Sequence, residues 1–170
     1  SYILTRYKDL VGVYRNFKVW SSDKRTEFGS KFGSSPLFEH HTTSVVFVDP
    51  PDHTRIRKIF QQAFTPKSIL GLERNINKLV DSYLVMMHEK KKFDFVSDFS
   101  FRLPVDVVCN VLGVPSEDRH LIRDWAHKIL GALEPKLTHK QFDEGSTAVI
   151  NFKQYLCLLY TSPSPRDSTL

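Results

Sequence analysis

Apolar positions recur at helical spacing along most of this chain, and nearly every run is bounded by residues that start or stop a helix. Ser1 to Tyr7 alternates β-forming and polar residues, whereas Lys8 to Tyr14 sets Leu10, Val11 and Tyr14 at helical spacing, so a short strand entering a short helix is predicted. Ser21 to Ser35 is polar, with Gly29, Gly33 and several serines; it reads as a surface loop long enough to be functional. Ser44 to Val48 turns apolar, and Asp49 as N-cap with Pro50 at the first helical position predicts a helix reaching about Phe64. Thr65-Pro66 repeats that start signal, and Ile69, Leu72, Ile76, Leu79, Val80, Tyr83, Leu84 and Met87 keep one stripe as far as Glu89, a helix about 36 Å long. Phe93 to Val96 is a second candidate strand. Asp98 is placed to cap a helix carrying Leu103, Val107, Val108, Val111 and Leu112 and stopped by Gly113. Ser116-Glu117-Asp118 starts another with Leu121, Ile122, Trp125, Ile129 and Leu130 inward, and Thr138 caps a last helix with Phe142, Val149, Phe152 and Tyr155. The fold class is therefore mainly α, with one or two short β-strands and no internal repeat.

Periodicity fails after Leu156. Ser162-Pro-Ser-Pro-Arg-Asp-Ser-Thr169 consists of turn and disorder formers, and the string from Cys157 resembles a translated adapter or vector read-through. Residues 1–156 are accordingly expected to be a partial domain and 157–170 a non-native disordered tail, with a natural flexible tail as the alternative.

Composition narrows the class without naming a function. With 170 residues, 41% hydrophobic and 12% aromatic with 13 Phe, the chain has enough apolar surface for a core, which excludes disorder throughout. No window approaches the roughly 18 apolar residues of a membrane span, and Ser1 to Asp9 lacks the layout of a signal peptide, so a soluble cytoplasmic protein with no membrane partner is expected. Cys109 and Cys157 are too few for a disulfide scaffold and form no Cys-x-x-Cys pair. The net charge of +5 falls short of a nucleic-acid-binding stripe, and Lys90-Lys91-Lys92 reads first as a solvated helix end favoured by the helix dipole.

The stretch with chemical content is Asp49-Pro-Pro-Asp-His53-Thr-Arg-Ile-Arg57-Lys-Ile-Phe60-Gln-Gln-Ala-Phe64-Thr-Pro66. His53, Arg57, Phe60 and Phe64 fall three or four residues apart, so one helical face carries a cationic pair at its N-terminal end and two aromatic rings beyond. Such a face suits a flat apolar ligand with carboxylates at one edge, because Arg gives directional charge-assisted bonds and His donates from a ring nitrogen. On spacing alone the commoner reading is an ordinary surface, with Phe60 and Phe64 filling the core.

The whole string, with Ala63-Phe-Thr-Pro66, resembles helix C and its sequel in bacterial cytochrome P450 haem-thiolate monooxygenases. Ile3 to Leu10 is similar to that family's strand into helix B, and Asp94-Phe-Val-Ser-Asp-Phe99, Leu103-Pro-Val-Asp-Val-Val108 and Leu112-Gly-Val-Pro-Ser-Glu-Asp-Arg119 to its E and F helix region. The resemblance covers about Ser1 to Leu156 and implies the N-terminal portion of the P450 fold, helices B to G. It implies that His53 and Arg57 bind the haem propionates. Glu39 to Phe47 matches the loop between helices B and C, making Val45, Val46 and Phe47 candidates for substrate contact. Haem (iron protoporphyrin IX), O2 and electrons from NAD(P)H through a ferredoxin or flavoprotein donor are implied, with a small apolar organic molecule as substrate and no nucleic-acid partner.

Neither cysteine has the Gly-loop context of the family's axial ligand: Cys109 sits among Val107, Val108 and Val111 on an apolar helix, and Cys157 adjoins the tail. The Ala-Gly-x-acid-Thr helix and Glu-x-x-Arg pair are also absent, so no residue here is assigned a catalytic role and the fragment is expected to be inactive. No metal site is assigned. His40-His41 lacks ligand spacing and reads as a solvated or hydrogen-bonded loop pair; His120, Asp124 and His127 share a face at spacings of four and three but read first as an ordinary polar face opposite Leu121, Ile122 and Trp125. Arg55 and Lys58 should point away from the haem-facing stripe, where they form either a docking surface for an acidic electron donor or plain solvated charge. The competing function is a non-catalytic helical module that binds a partner protein or nucleic acid.

Overall fold

A computed structural model of the chain describes residues 3–161. They form two compact units, divided between Ala63 and Phe64.

The first unit comprises α1 (Tyr7–Arg15), α2 (Arg25–Phe32), α3 (Pro36–Thr42), a 3₁₀ turn (Val45–Phe47) and α4 (Asp52–Ala63). Its apolar centre is small and aromatic: Phe28 and Phe32 of α2, four residues apart, meet His41 of α3, on which Leu37 is also fully buried. This corrects the expectation of a loop over Ser21 to Ser35. The serines and glycines there mask a helix whose inward positions are two phenylalanines, so tertiary packing overrides a polar local composition. Ser35 starts α3 by accepting from Phe38 N–H at 3.3 Å.

The second unit comprises α5 (Pro66–Glu89), one turn of π-helix (Val96–Ser100), α6 (Arg102–Leu112), a 3₁₀ turn (Ser116–Asp118), α7 (Arg119–Gly131) and α8 (His139–Thr161). Thr65 caps α5 through a reciprocal exchange with Ser68, and Thr138 Oγ1 accepts from Gln141 N–H at 3.2 Å at the start of α8. Gly113 ends α6 at φ 73°, a left-handed conformation that glycine adopts without strain. Cys109, Val114 and Ile122 form a buried cluster, with Val105, Leu112, Trp125, Phe152, Tyr155 and Leu159 packed around it. Leu130 differs from expectation: it faces solvent while Ile122 and Ile129 take the inward positions of α7.

Among the described residues there is no β-strand, which corrects the expectation of one or two. Ile3 to Arg6 forms no regular element, and Phe95 onward winds into the π turn; a strand needs a neighbouring strand for its backbone groups, and none lies beside either segment among the described residues. Asp98 does not cap α6. It binds Lys90 Nζ at 2.8 Å and Asp94 N–H at 3.1 Å, so the π turn has taken the place of the expected helix start. α8 runs through residues 157–161, five residues into the expected tail, because Leu159 follows Tyr155 by one turn and reaches the same cluster. Residues 162–170 lie outside the described residues.

Candidate functional site

α4 begins at Asp52, after a turn through Pro50-Pro51, and not at Pro50. Asp49 does not cap it with its side chain. Its carbonyl accepts from His53 N–H at 3.0 Å, while its carboxylate accepts from Ser22 N–H at 2.8 Å and from the Ser21 hydroxyl. Those bonds, Ser21 first, hold the Asp49 carboxyl below the usual range. Asp49 thereby ties the segment before α2 to the start of α4, a role that spacing along the chain did not signal.

His53 and Arg57 lie one turn apart on α4. His53 is half-buried and Arg57 exposed, and no hydrogen bond or ion pair joins either side chain to a described residue. Arg55, on another side of the helix, pairs with Asp52 at 3.4 Å. Ile56 is half-buried, while Ile59 and Phe60 are exposed, Phe60 at 50%. α4 buries no side chain fully within its own unit. The result is a helix face with two unengaged nitrogen donors at one end and an aromatic ring two turns from His53, fitted to an anion-edged planar ligand. Phe64 lies beyond the end of α4, at the start of the second unit.

The other candidate segment is the 3₁₀ turn. Ser44 caps it by accepting from Val46 N–H at 3.5 Å. Val46 is exposed at 63% and Val45 is half-buried. Phe47 turns inward, its ring meeting Phe28 at 5.1 Å and His41 at 6.1 Å, both edge-on. Val45 and Val46 are thus presented by a turn whose third residue is its anchor.

His41 departs from the expected solvated pair. It is 2% exposed, with the rings of Phe28 and Phe32 at 5.6 and 5.5 Å, and Nε2 has no partner among the described residues. Burial first, then the charges of His40 and Lys31, push its pKa down to about 4. A pair of adjacent histidines gives no hint of this environment; the hint lies in Phe28, Phe32 and Phe47, which local spacing does not connect to it.

In the second unit, His120 Nδ1 meets Glu117 O at 2.6 Å, Asp124 pairs with Lys128 at 2.7 Å, and His127 packs edge-on against Phe101. The three groups that share a face in sequence are each engaged elsewhere. Cys109 is fully buried and its thiol is pushed up by that burial, whereas Cys157 is exposed on α8. No helix among the described residues is long and apolar enough to cross a membrane.

No family model matches the chain. It is similar to cytochrome P450 CYP107DY1 of Priestia megaterium, 29% identical over 92% of this chain and 39% of the relative. A cytochrome P450 of Bacillus subtilis is 33% identical over 76% of this chain and 32% of its own length. Among solved structures, the cytochrome P450 PksS of the B. subtilis bacillaene polyketide synthase aligns with a TM-score of 0.70 at 25% identity, covering 92% of this chain and 37% of that one. The chain therefore spans between about a third and two fifths of these relatives.

Proposed function

Because this chain belongs to the cytochrome P450 family, we propose that it is the N-terminal part of a haem-dependent monooxygenase that inserts one oxygen atom from O2 into an apolar organic substrate. The observation that carries the reading is the α4 face, where the side chains of His53 and Arg57 form no hydrogen bond or ion pair with a described residue and exposed apolar side chains follow along the helix. Arg57 would bind the haem propionates by charge-assisted hydrogen bonds, and His53 would donate to them from a ring nitrogen. Ile56 and Phe60 supply apolar surface for the porphyrin. Haem, when bound, would supply the iron at which O2 is activated.

Val45 and Val46 would border the substrate, with Phe47 holding their turn in place. Neither cysteine suits the iron: Cys109 is sealed in the second unit's cluster, and Cys157 rides the exposed face of α8. We accordingly propose that this chain alone has no monooxygenase activity. Electrons would come from NAD(P)H by way of a ferredoxin or flavoprotein, in the cytoplasm. Residues 1–156 would be the partial P450 domain and 157–170 a non-native tail, even though α8 continues through 157–161. The uncovered side chains of α5, Leu70 and Val85 among them, support packing against further parts of the parent.

Replacing His53 and Arg57 together by Ala in the complete enzyme tests the site. Removing two charge-assisted bonds should weaken haem retention by about tenfold or more, seen as a reduced haem absorption band per protein, with helical circular dichroism unchanged. Full haem occupancy in the double variant overturns the assignment. Nucleic-acid binding that weakens steeply with salt, without haem capture, would favour a binding module instead.

A further inference from the structure

Within the first unit, an imidazole occupies a place that an apolar ring would fill. His41 is enclosed by Phe28 and Phe32 of α2 and by Phe47 of the 3₁₀ turn, with ring centroids 5.5 to 6.1 Å away. Its Nε2 is buried and meets no hydrogen-bonding group among the described residues. Phe47 is held edge-on by Phe28 and His41 together, so the seat of the turn depends on the cluster that His41 completes.

We propose that His41 is a proton-operated latch on the Val45–Phe47 turn: neutral, it closes the aromatic cluster and seats Phe47; protonated, it opens the cluster and releases the turn. The reason is desolvation. Burying a neutral imidazole among rings costs far less than burying an imidazolium, whose full charge is strongly disfavoured there. The surrounding charges act in the same sense. Lys31 of α2 and His40 of α3 both oppose a positive charge at His41. Glu27 of α2 is taken up by Lys24 at 2.7 Å, and Glu39, two residues before His41 on α3, points to another side of the helix. The 3₁₀ turn contributes no titratable group.

The sign follows from linkage. The closed cluster binds its proton less readily than the open one, so closure is complete above the ordinary histidine pKa of 6.5, weakens as pH falls toward about 4, and stops changing below it. The consequence for selectivity, an acid-loosened wall at Val45 and Val46, rests on the reading of those residues as substrate contacts; the latch itself does not.

Hydrogen exchange of the 170-residue chain, read by mass spectrometry and corrected for intrinsic rates, tests the latch without haem or substrate. Protection of peptides spanning 36–48 should fall between pH 6.5 and 4 by up to about tenfold per pH unit, while peptides from α8 change far less. His41→Phe should abolish that fall; an undiminished fall in this variant overturns the proposal. If His41→Phe does not fold, Lys31→Glu serves instead, because an acid beside His41 must move the transition to higher pH, and an unmoved transition is equally fatal. So is a His41 ring that titrates near 6.5 by NMR with no change in protection. A working latch combined with unaltered substrate preference in a Val46→Ala parent would refute the substrate reading and leave the latch standing.

Discussion

The phenol of Tyr83, on α5, donates to Asp106, a buried carboxylate on α6 that Arg123 of α7 also approaches at 3.5 Å. Burial, then that hydrogen bond, pushes the Tyr83 hydroxyl up to about 12, so it remains a donor across the physiological range. Removing the hydroxyl leaves Asp106 desolvated and short of one partner, and such a deficit costs about 1–3 kcal/mol. Tyr83→Phe is therefore expected to lower the unfolding free energy, taken from the midpoint and slope of a urea transition followed by circular dichroism, by an amount in that range; an unchanged value would show that Arg123 alone suffices. Tyr83 was legible in the sequence only as one apolar position in a stripe, because a helical pattern reports which way a side chain points and not what polar group waits there. His53 and Arg57 were legible for the converse reason: both sit on one helix, so local geometry alone places them together.

Helix boundaries divide according to whether their signals are local. Thr65, Gly113 and Thr138 mark ends where one side chain or one backbone conformation satisfies the terminal groups, and all three do so in the structure. Thr65→Ala removes the acceptor for Ser68 N–H and should destabilise the second unit by about 1 kcal/mol in the same unfolding measurement. Asp49 and Asp98 carried equally good cap signatures yet were drawn off by distant partners, Ser21 and Ser22 in one case and Lys90 in the other. A cap signature states what a side chain can accept, and competing donors settle what it does accept. α2 was hidden because eight residues of mixed polarity form a helix only when Phe28 and Phe32 have α3 to pack against.

At the level of the complete enzyme, the exposed charges of α4 bear on association. Arg55 is partly compensated by Asp52, an exposed pair worth little in water, and Lys58 is open to solvent. If these two form part of the donor-docking surface, neutralising both in the complete enzyme should slow its reduction by about several-fold at low ionic strength, an effect lost at high salt. An unchanged rate at low salt removes them from the docking surface. The helical class, the α4 motif and the placing of Cys109 on an apolar helix were all determined by residues within a few positions of one another, where 3.6-residue periodicity and capping chemistry act without reference to the rest of the chain. The aromatic enclosure of His41, the diversion of Asp49 and the absence of strands from the described residues depended on side chains and backbone groups far apart in sequence. Those contacts form only when the chain folds back on itself, because burial and hydrogen-bond partnership belong to the packed molecule and not to any one stretch of it.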